Sequence, residues 1–519
     1  MNRIVFLLAV LMIGSIPLQA QLPEDAIRMS WNAPSGTARQ QAIGGAMGSL
    51  GGEITSLYVN PAGLGFYKTN EFVFTPSLSF LNGKGNFRGT SATAPTATKF
   101  TIGTTGFVWG QSNPQSRWGS KTFSIGVNRV ANFNGRTRYR GENNFSSYSE
   151  SFAEEFALSG LPIDVPLAEA PLSLGTKLAN YTFLFDTLTI NGNTEVVGFP
   201  MRNALLTGIE PQLFQERDIE TSGGITEIAF GYAGNMDDKL YIGASIGIPI
   251  VNFERTSTFT ESDISGDNNN DFNYSSYVER YRSWGVGFNG KLGMIFKPAG
   301  PIRTGIAIHT PTIYGLRERT TGRMETDLES FFDVQNFGVA DEDTIYTQNN
   351  YAIPEYSYDY YSPWKFIVSG SYMINPVEDV TRQVGFVTAD VEYVTHRSSR
   401  FKSPEDPDYY KGVNDAVKFS YKGAVNVRLG GEMKFNTLMT RLGFAYYGSP
   451  YEDKQLKAHR MNVSGGVGYR NRGIFVDLAY VYGLNRDVDF PYRLSDKANT
   501  FADVRNNNGS VLLTFGVKF

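Results

Sequence analysis

Near the C-terminus the apolar residues fall on every second position: Val511, Leu513, Phe515, Val517 and Phe519 alternate with Leu512, Thr514, Gly516 and Lys518. Period two marks a strand with two unlike faces. Just upstream, Ile474, Val476, Leu478, Tyr480, Tyr482 and Leu484 alternate with Phe475, Asp477, Ala479, Val481 and Gly483, so Asp477 points away from the apolar stripe. Val425, Val427, Leu429, Met433 and Phe435 likewise alternate with Asn426, Arg428, Glu432 and Lys434, and Val387, Ala389, Val391 and Tyr393 alternate with Thr388, Asp390 and Glu392. About fourteen such segments follow one another, starting near Glu71, Lys99, Lys121, Gly224, Leu240, Arg280, Pro301, Trp364, Gln383, Val417, Thr437, His459, Gly473 and Asn508.

The links between them alternate in length. Tight links occur at Asn235 to Asp238, Lys297 to Pro301, Phe435 to Leu438 and Arg470 to Gly473. Between these lie long polar links, roughly Gly83 to Thr98, Gly135 to Gly223, Arg255 to Glu279, Gly315 to Pro363, Ser398 to Asn414 and Asn485 to Asn507. A soluble sandwich has no reason to sort its loops this way. An even number of strands with short turns on one side and long loops on the other is the pattern of an outer-membrane barrel. The expected fold is therefore all-β: a fourteen-stranded antiparallel transmembrane β-barrel spanning 71–519, with its apolar stripes facing lipid. Aromatic clusters at Tyr360 to Trp364, Phe444 to Gly448 and Tyr480 to Gly483 suit the interfacial girdle of such a barrel.

Composition agrees with export. The first residues place Arg3 before an apolar core, Ile4 to Ile13, and a small-residue site ending at Ala20, so 1–20 read as a signal peptide. The chain contains no cysteine, which removes disulfides, thiolate nucleophiles and a lipoprotein anchor together. Past residue 20 no run of about 18 apolar residues occurs, so no membrane-spanning helix is expected. A net charge of -4 from 47 basic and 51 acidic residues offers no field for nucleic acid. The expected location is the outer membrane of a Gram-negative bacterium, in contact with outer-membrane lipid and lipopolysaccharide.

Residues 21–70 do not alternate. Gly36 to Gly52 is rich in small residues and suits one or two short helices broken by Gly-Gly pairs, which need a surface to pack on. The nearest surface is the barrel lumen, so this segment reads as a hatch or plug. It ends in Asn60, Pro61, Ala62 and Gly63, where proline fixes φ, restricts the residue before it, and glycine permits a reversal. A small-residue segment running into "VNPAGLGFY" and a first strand "EFVFTPSLSF" resembles the FadL/TodX family of outer-membrane transporters of hydrophobic compounds, particularly its Bacteroidetes members. "IHTPTIYG" (Ile308 to Gly315) and "LGFAYYGSP" (Leu442 to Pro450) match the family in the same order along the chain. The resemblance implies a hatch in the lumen and a lateral exit through the wall where the third strand kinks inward.

In the third strand, Arg129 falls in phase with Phe123, Ile125 and Val127, with Asn128, Asn132 and Asn134 around it. An arginine facing lipid near the midplane costs about 2 to 4 kcal/mol. Either the strand bulges here, making Asn128, Arg129 and Asn132 the lateral opening, or it ends here with a snorkelling arginine. The inward charges Glu227, Arg303, Asp390, Glu392, Arg428, Glu432, Arg441 and Asp477 must pair with one another or with lumen water; they read as structural pairs or, functionally, as a polar wall that holds the hatch and a carboxylate head group. In the long third loop, Phe152, Phe156, Leu158 and Leu161 have a helical rhythm; the family resemblance implies a groove there for capturing a hydrophobic ligand, and the alternative is a helix packed on the rim.

Catalytic chemistry has little support. His309, His396 and His459 are the only histidines and no Ser-His-Asp spacing emerges, so no enzyme is expected. Glu261, Asp263, Asp267 and Asp271 share a loop without an EF-hand register; no metal and no cofactor are expected. The expected function is passive uptake of hydrophobic compounds, such as long-chain fatty acids, with lateral exit. The alternative is a non-transporting barrel of the same fold that acts as a scaffold or shuttle with secretion-system proteins.

Overall fold

The structure is a computed structural model that describes residues 23–298, 300–329, 331, 338–375 and 384–519. The expected signal peptide lies outside the described residues, as does the strand start expected at Gln383. Strand β1 comprises Glu71–Phe74 and Pro76–Leu81, β2 comprises Ala97–Ile102 and Thr105–Ser112, and β3 runs Trp118–Asn132 and on through Gly135–Asn143. They are followed by β4 (Leu213–Met236), β5 (Leu240–Asp263), β6 (Tyr274–Phe296) and β7 (Ile302–His309 and Ile313–Asp327). Next come β8 (Tyr356–Tyr361 and Lys365–Ile374), β9 (Gly385–Val394 and Arg400–Lys402) and β10 (Ala424–Phe435). The last four are β11 (Leu438–Tyr447), β12 (His459–Asn471), β13 (Ile474–Asp489) and β14 (Ala502–Lys518).

Each strand pairs antiparallel with the next, and β1 pairs back onto β14 with Glu71 opposite Lys518. The result is a closed fourteen-stranded barrel. Closure is the only way a sheet can cross hydrocarbon without an unpaired edge. No helix among the described residues is long and apolar enough to span a membrane, which says nothing of strands.

The alternation sets the two faces. On β14, Leu512 and Thr514 are buried inward while Phe515 and Val517 are exposed outward; Leu292, Val368 and Leu442 are likewise outward and exposed. Two of the links on the short side, β10 to β11 and β12 to β13, are two-residue turns. At Arg472 and Gly473 both φ angles are positive, 48° and 83°, the geometry a tight hairpin demands. Asn436, in the turn between β10 and β11, also has a positive φ of 55°.

Several expected boundaries shift. Val417 does not open a strand; it is buried in a helix, Lys411–Ser420, folded into the barrel mouth, and β10 starts at Ala424. Gly135 to Asn143 and Leu213 to Gly223 are strand rather than loop, as are Arg255 to Asp263 and Tyr274 to Glu279. These stretches read as loop because their outward positions are charged. The strands reach 24 residues, far beyond the roughly 10 needed to cross lipid. Their upper halves stand above the apolar band, where Arg138 of β3 pairs with Glu216 of β4 and Arg136 with Asp218.

Inside, the N-terminal segment fills the lumen. It contains α1 (Pro23–Ser30), α2 (Ala38–Ala42), α3 (Ser56–Val59) and a 3₁₀ turn, Pro61–Phe66. Apolar side chains of the hatch, among them Ile43, Met47, Leu57 and Leu64, pack on small and apolar wall residues, and polar contacts fix its position. Asp390 accepts the backbone N–H groups of Met47 and Gly48 at 2.9 and 3.0 Å, and Thr514 accepts that of Ala38 at 2.7 Å. Arg39 reaches Glu432 at 3.0 Å, and Glu432 also pairs with Arg441 at 2.6 Å, which pairs with Asp477 at 2.6 Å. Arg428 and Glu392 form a second buried pair at 2.6 Å.

A buried carboxylate stripped of its cation is costly. Arg441→Met is therefore expected to destabilise the barrel by about 3 to 5 kcal/mol, read by denaturant unfolding in lipid, whereas Arg140→Gln on the outer face leaves the midpoint unchanged. A shift of under about 1 kcal/mol for Arg441→Met, the range of an exposed pair, would show that the chain Arg39, Glu432, Arg441, Asp477 does not carry stability.

Candidate functional site

The hatch is pinned to the wall at the Asn-Pro turn. The Asn60 side chain accepts the N–H of Ala62 at 3.2 Å, starting the 3₁₀ turn, and donates to the carbonyls of Gly48 (2.6 Å), Met294 (3.3 Å) and Ile306 (3.4 Å). His309 bridges to the Val59 carbonyl at 2.9 Å. The wall makes room with glycine. A Cβ on Gly243 of β5 would lie 2.4 Å from the Pro61 carbonyl, one on Gly293 of β6 would lie 1.9 Å from Asn60 Oδ1, and one on Gly305 of β7 would lie 2.1 Å from the Gly48 carbonyl oxygen. Asn60, Pro61, Ala62 and Gly63 are thus seated on three successive strands, well beyond the link into β1.

The second feature is an interruption in the wall. The ladder between β2 and β3 runs from Ser112 opposite Ser120 up to Thr105 opposite Val127 and stops there. The upper half of β2 pairs with β1, and the upper half of β3 pairs with β4. Strand β3 carries a β-bulge at this point: Arg129 faces Thr226 and Ala131 faces Ile225, leaving Val130 unopposed. The bulge reverses the side-chain phase, so Ala131 and Phe133 are buried inward whereas Val127 is outward. Arg129 does not stand bare in lipid. Its guanidinium donates to the Gly223 carbonyl across the space left by Gly224, whose Cβ would lie 2.6 Å from Arg129 Nη2.

The hatch covers this interruption from within. Ser35 N–H donates to the Arg129 carbonyl at 2.9 Å, Asn128 Nδ2 donates to the Ser35 carbonyl at 2.9 Å, and Thr104 N–H donates to the Gly36 carbonyl at 3.3 Å. Asn132 is exposed and its Oδ1 accepts the N–H of Asn134, closing a local turn.

Two cavities flank α1. The upper one, of about 1500 Å³, has Ile27 and Arg28 in its floor, Phe253, Tyr277 and Tyr281 in its wall, and the loop helices above it. The lower one, of about 100 Å³, lies among Met29, Asn128, Val130, Glu227, Lys291 and His309, beside the bulge. Helix α1 is held by Tyr360, whose hydroxyl donates to the Ala26 carbonyl at 2.9 Å, and by a contact of Ser30 with His396 at 3.0 Å. The Arg28 guanidinium lies 4.1 Å over the Phe253 ring, and Arg460 lies 4.3 Å over Trp31.

The upper cavity is roofed by α4 (Tyr148–Ser159) and α5 (Leu174–Tyr181), joined by Glu155, which accepts from Ser173 Oγ at 2.8 Å and Thr176 Oγ1 at 2.7 Å. Beneath the roof, Arg217 pairs with Asp489 at 3.0 Å and Arg255 with Glu279 at 2.6 Å. Lys177 donates to the Tyr346 hydroxyl at 3.1 Å, and burial pushes its amine down to about 8. The vestibule is therefore amphipathic, with tyrosine faces and fixed charges side by side.

No family model matches the chain, and no curated protein matches it. Among solved structures, a Pseudomonas aeruginosa FadL homologue aligns at 14% identity and TM-score 0.54, covering 94% of this chain and 100% of that one. The Pseudomonas putida toluene transporter TodX aligns at 13% identity and TM-score 0.52, covering 95% and 99%. The fold is that of FadL and TodX. A closed barrel with an apolar outer band is built to span a membrane with its strands.

On this FadL-type scaffold the residues singled out from sequence divide into three groups. Asn60 to Gly63, Asn128 and Arg129 meet the hatch or the interruption directly. Asp390, Glu392, Arg428, Glu432, Arg441 and Asp477 form the buried wall network, while Arg303 packs over Phe66 of the hatch at 4.8 Å and makes no ion pair among the described residues. The four loop residues are not brought together as one groove: Phe152 lines the upper cavity, Phe156 is 1% exposed in the core of the roof, Leu158 is 81% exposed to solvent, and Leu161 packs at the edge. Phe152 and Phe156 belong to one apolar cluster against which Leu161 packs, whereas Leu158 lies on the open side of the helix.

Glu261 turns under the roof to accept from Ser147 and Gln215, away from Asp267 and Asp271. Sequence reasoning missed α1, Ser35 and Gly36, and the vestibule tyrosines. The signal for α1 was present in its acidic first turn, Glu24 and Asp25, after Pro23.

If the glycine seat holds the hatch, Gly243→Ala should unseat the Pro61 turn. Trypsin cleavage at Arg39 is expected to rise sharply while the folded barrel keeps its heat-sensitive electrophoretic shift. Protease resistance equal to that of the parent chain would contradict this.

Proposed function

We propose that the chain is a channel for passive uptake of hydrophobic compounds, long-chain fatty acids or similar lipophilic molecules, which leave sideways through the wall between β2 and β3. One observation carries this reading: the interruption in the β2–β3 ladder is covered from within by a short piece of hatch, held by three hydrogen bonds, next to a cavity in the lumen. The P. putida structure that shares the fold is of a toluene transporter, which supports the substrate class.

The route begins at the roof, where a ligand leaves water for the tyrosine-lined vestibule. Burial of apolar surface contributes about 25 cal/mol per Å², so a ligand that buries about 200 Å² gains about 5 kcal/mol. Releasing the three contacts of Ser35, Gly36 and Asn128 costs about 3 kcal/mol at roughly 1 kcal/mol each. Ligand binding is therefore large enough to displace the hatch segment, and no nucleotide or redox step is required. Movement of α1, which lines both cavities, connects the vestibule with the lower site. From there Val130, the unopposed residue of the bulge, leads to the bilayer.

Because the chain contains no cysteine, a lock can be placed cleanly. A disulfide between Ser35→Cys and Asn128→Cys is expected to reduce cellular uptake of a long-chain fatty acid to the level of a deletion strain, with recovery on reduction. Full uptake by the oxidised double variant would remove the lateral route, and unchanged uptake by the deletion strain across a broad panel would remove the transport reading itself.

A further inference from the structure

Beyond the apolar band, on the side of the long loops, the outer wall carries two bands of charge that differ in balance. On β3 and β4 the ladder sets Arg136 opposite Glu220, Arg138 opposite Asp218 and Arg140 opposite Glu216. Every outward arginine there has a carboxylate in front of it. On β6 and β7 the ladder instead sets Arg282 directly opposite Arg319, with Trp284 opposite Arg317 and Arg280 one step above. Like charges directly opposed weaken an antiparallel pair, so this register is unfavourable unless an anion lies between them.

The protein supplies too few anions. Glu254 lies 3.5 Å from Arg282, and the single carboxylate of Glu355 is shared by Arg317 at 3.7 Å and Arg319 at 3.0 Å. Arg280 makes no ion pair among the described residues. On the adjoining edge, Arg400 and Lys402 of β9 lie 4.9 and 4.8 Å over the Tyr361 ring; Asp359 of β8 stands opposite Lys402, so this edge adds one further cation in excess. The side chains of Arg282, Arg317 and Arg319 are 58%, 64% and 48% exposed, so their donors are free to meet a ligand.

Immediately below the patch the same face turns apolar. Val286 and Phe288 on β6 and Ile313 on β7 are exposed to lipid, with Trp284 at the boundary, the position of an interfacial aromatic. A molecule that satisfies both halves of this surface has an anionic head and hydrocarbon tails. Guanidinium groups bind phosphate through paired N–H donors, which suits a phosphorylated head better than a lone carboxylate. We propose that Arg280, Arg282, Arg317 and Arg319 bind the phosphorylated headgroup of an outer-leaflet glycolipid of the lipid A type, with its acyl chains along Val286, Phe288 and Ile313. The lipid completes a charge balance that β3 and β4 achieve with protein carboxylates alone.

The test is native mass spectrometry of the full purified chain titrated with bisphosphorylated lipid A, the same lipid without its phosphates, and inorganic phosphate. The bisphosphorylated lipid is expected to bind, the dephosphorylated one to bind far more weakly, and inorganic phosphate not to bind measurably. This comparison uses the parent protein and needs no variant. With folding checked by the electrophoretic shift, Arg282→Gln/Arg319→Gln should weaken lipid binding by roughly 25-fold, about fivefold per arginine at an anionic headgroup surface, whereas Arg136→Gln/Arg138→Gln binds as the parent does. Equal binding of both lipids, full retention by the Arg282→Gln/Arg319→Gln variant, or binding of inorganic phosphate as tightly as the lipid would each overturn the assignment.

Discussion

In hydrocarbon every backbone N–H and C=O must find its partner within the protein, and the rest of this structure follows from that constraint. It makes the sheet close, β1 onto β14, and it makes any break in the ladder expensive. Between β2 and β3 the ladder stops at Thr105 and Val127, and the exposed groups of Arg129 and Thr104 are satisfied by Ser35 and Gly36. The hatch thus supplies at this point what a neighbouring strand supplies elsewhere. A wall completed by a movable segment is stable when shut and openable without unfolding.

The same economy governs the lumen. A hatch of short helices cannot hold itself together in water, and here it is organised by wall groups: Asp390 on the N–H groups of Met47 and Gly48, Glu432 on Arg39, and a row of glycines under Asn60 and Pro61. Nearly all of these contacts lie on β5 to β11. Toward β2 and β3 the hatch is held at the short-turn end, where Ser120 and Thr122 of β3 donate to the Gly65 and Tyr67 carbonyls, but at the interruption itself only by the few hydrogen bonds of Ser35 and Gly36, so the firmly held part and the lightly held part are separate. That asymmetry underlies the proposal that one segment acts both as plug and as gate.

Much of the barrel was legible in the sequence because alternation is a local signal: Val511 to Phe519 reads as a strand whatever it touches. Strand number, short turns and the inward charges followed from the same period. The extent of the strands did not, since Glu216, Asp218, Arg136 and Arg138 on an outward face look like loop until each is seen opposite its counter-charge above the lipid. Arg129 marked the place as a conflict of phase, but the acceptor of its guanidinium, the Gly223 carbonyl, lies almost a hundred residues away. The roof stayed open between a groove and a helix packed on the rim because helical rhythm shows which residues share a face and not what covers it; Phe156 and Leu158 lie two residues apart, one in a core and one in solvent.

The central claim is that the hatch backbone closes the wall until substrate arrives. Hydrogen exchange of the Ser35 and Thr104 amides in the lipid-reconstituted chain tests it most directly. Without ligand both should exchange as slowly as ladder amides of β3, and a saturating hydrophobic substrate should accelerate these two while leaving the ladder between Thr105 and Val127 protected. Fast exchange at Ser35 and Thr104 in the ligand-free chain, or no change on saturation, would contradict the account.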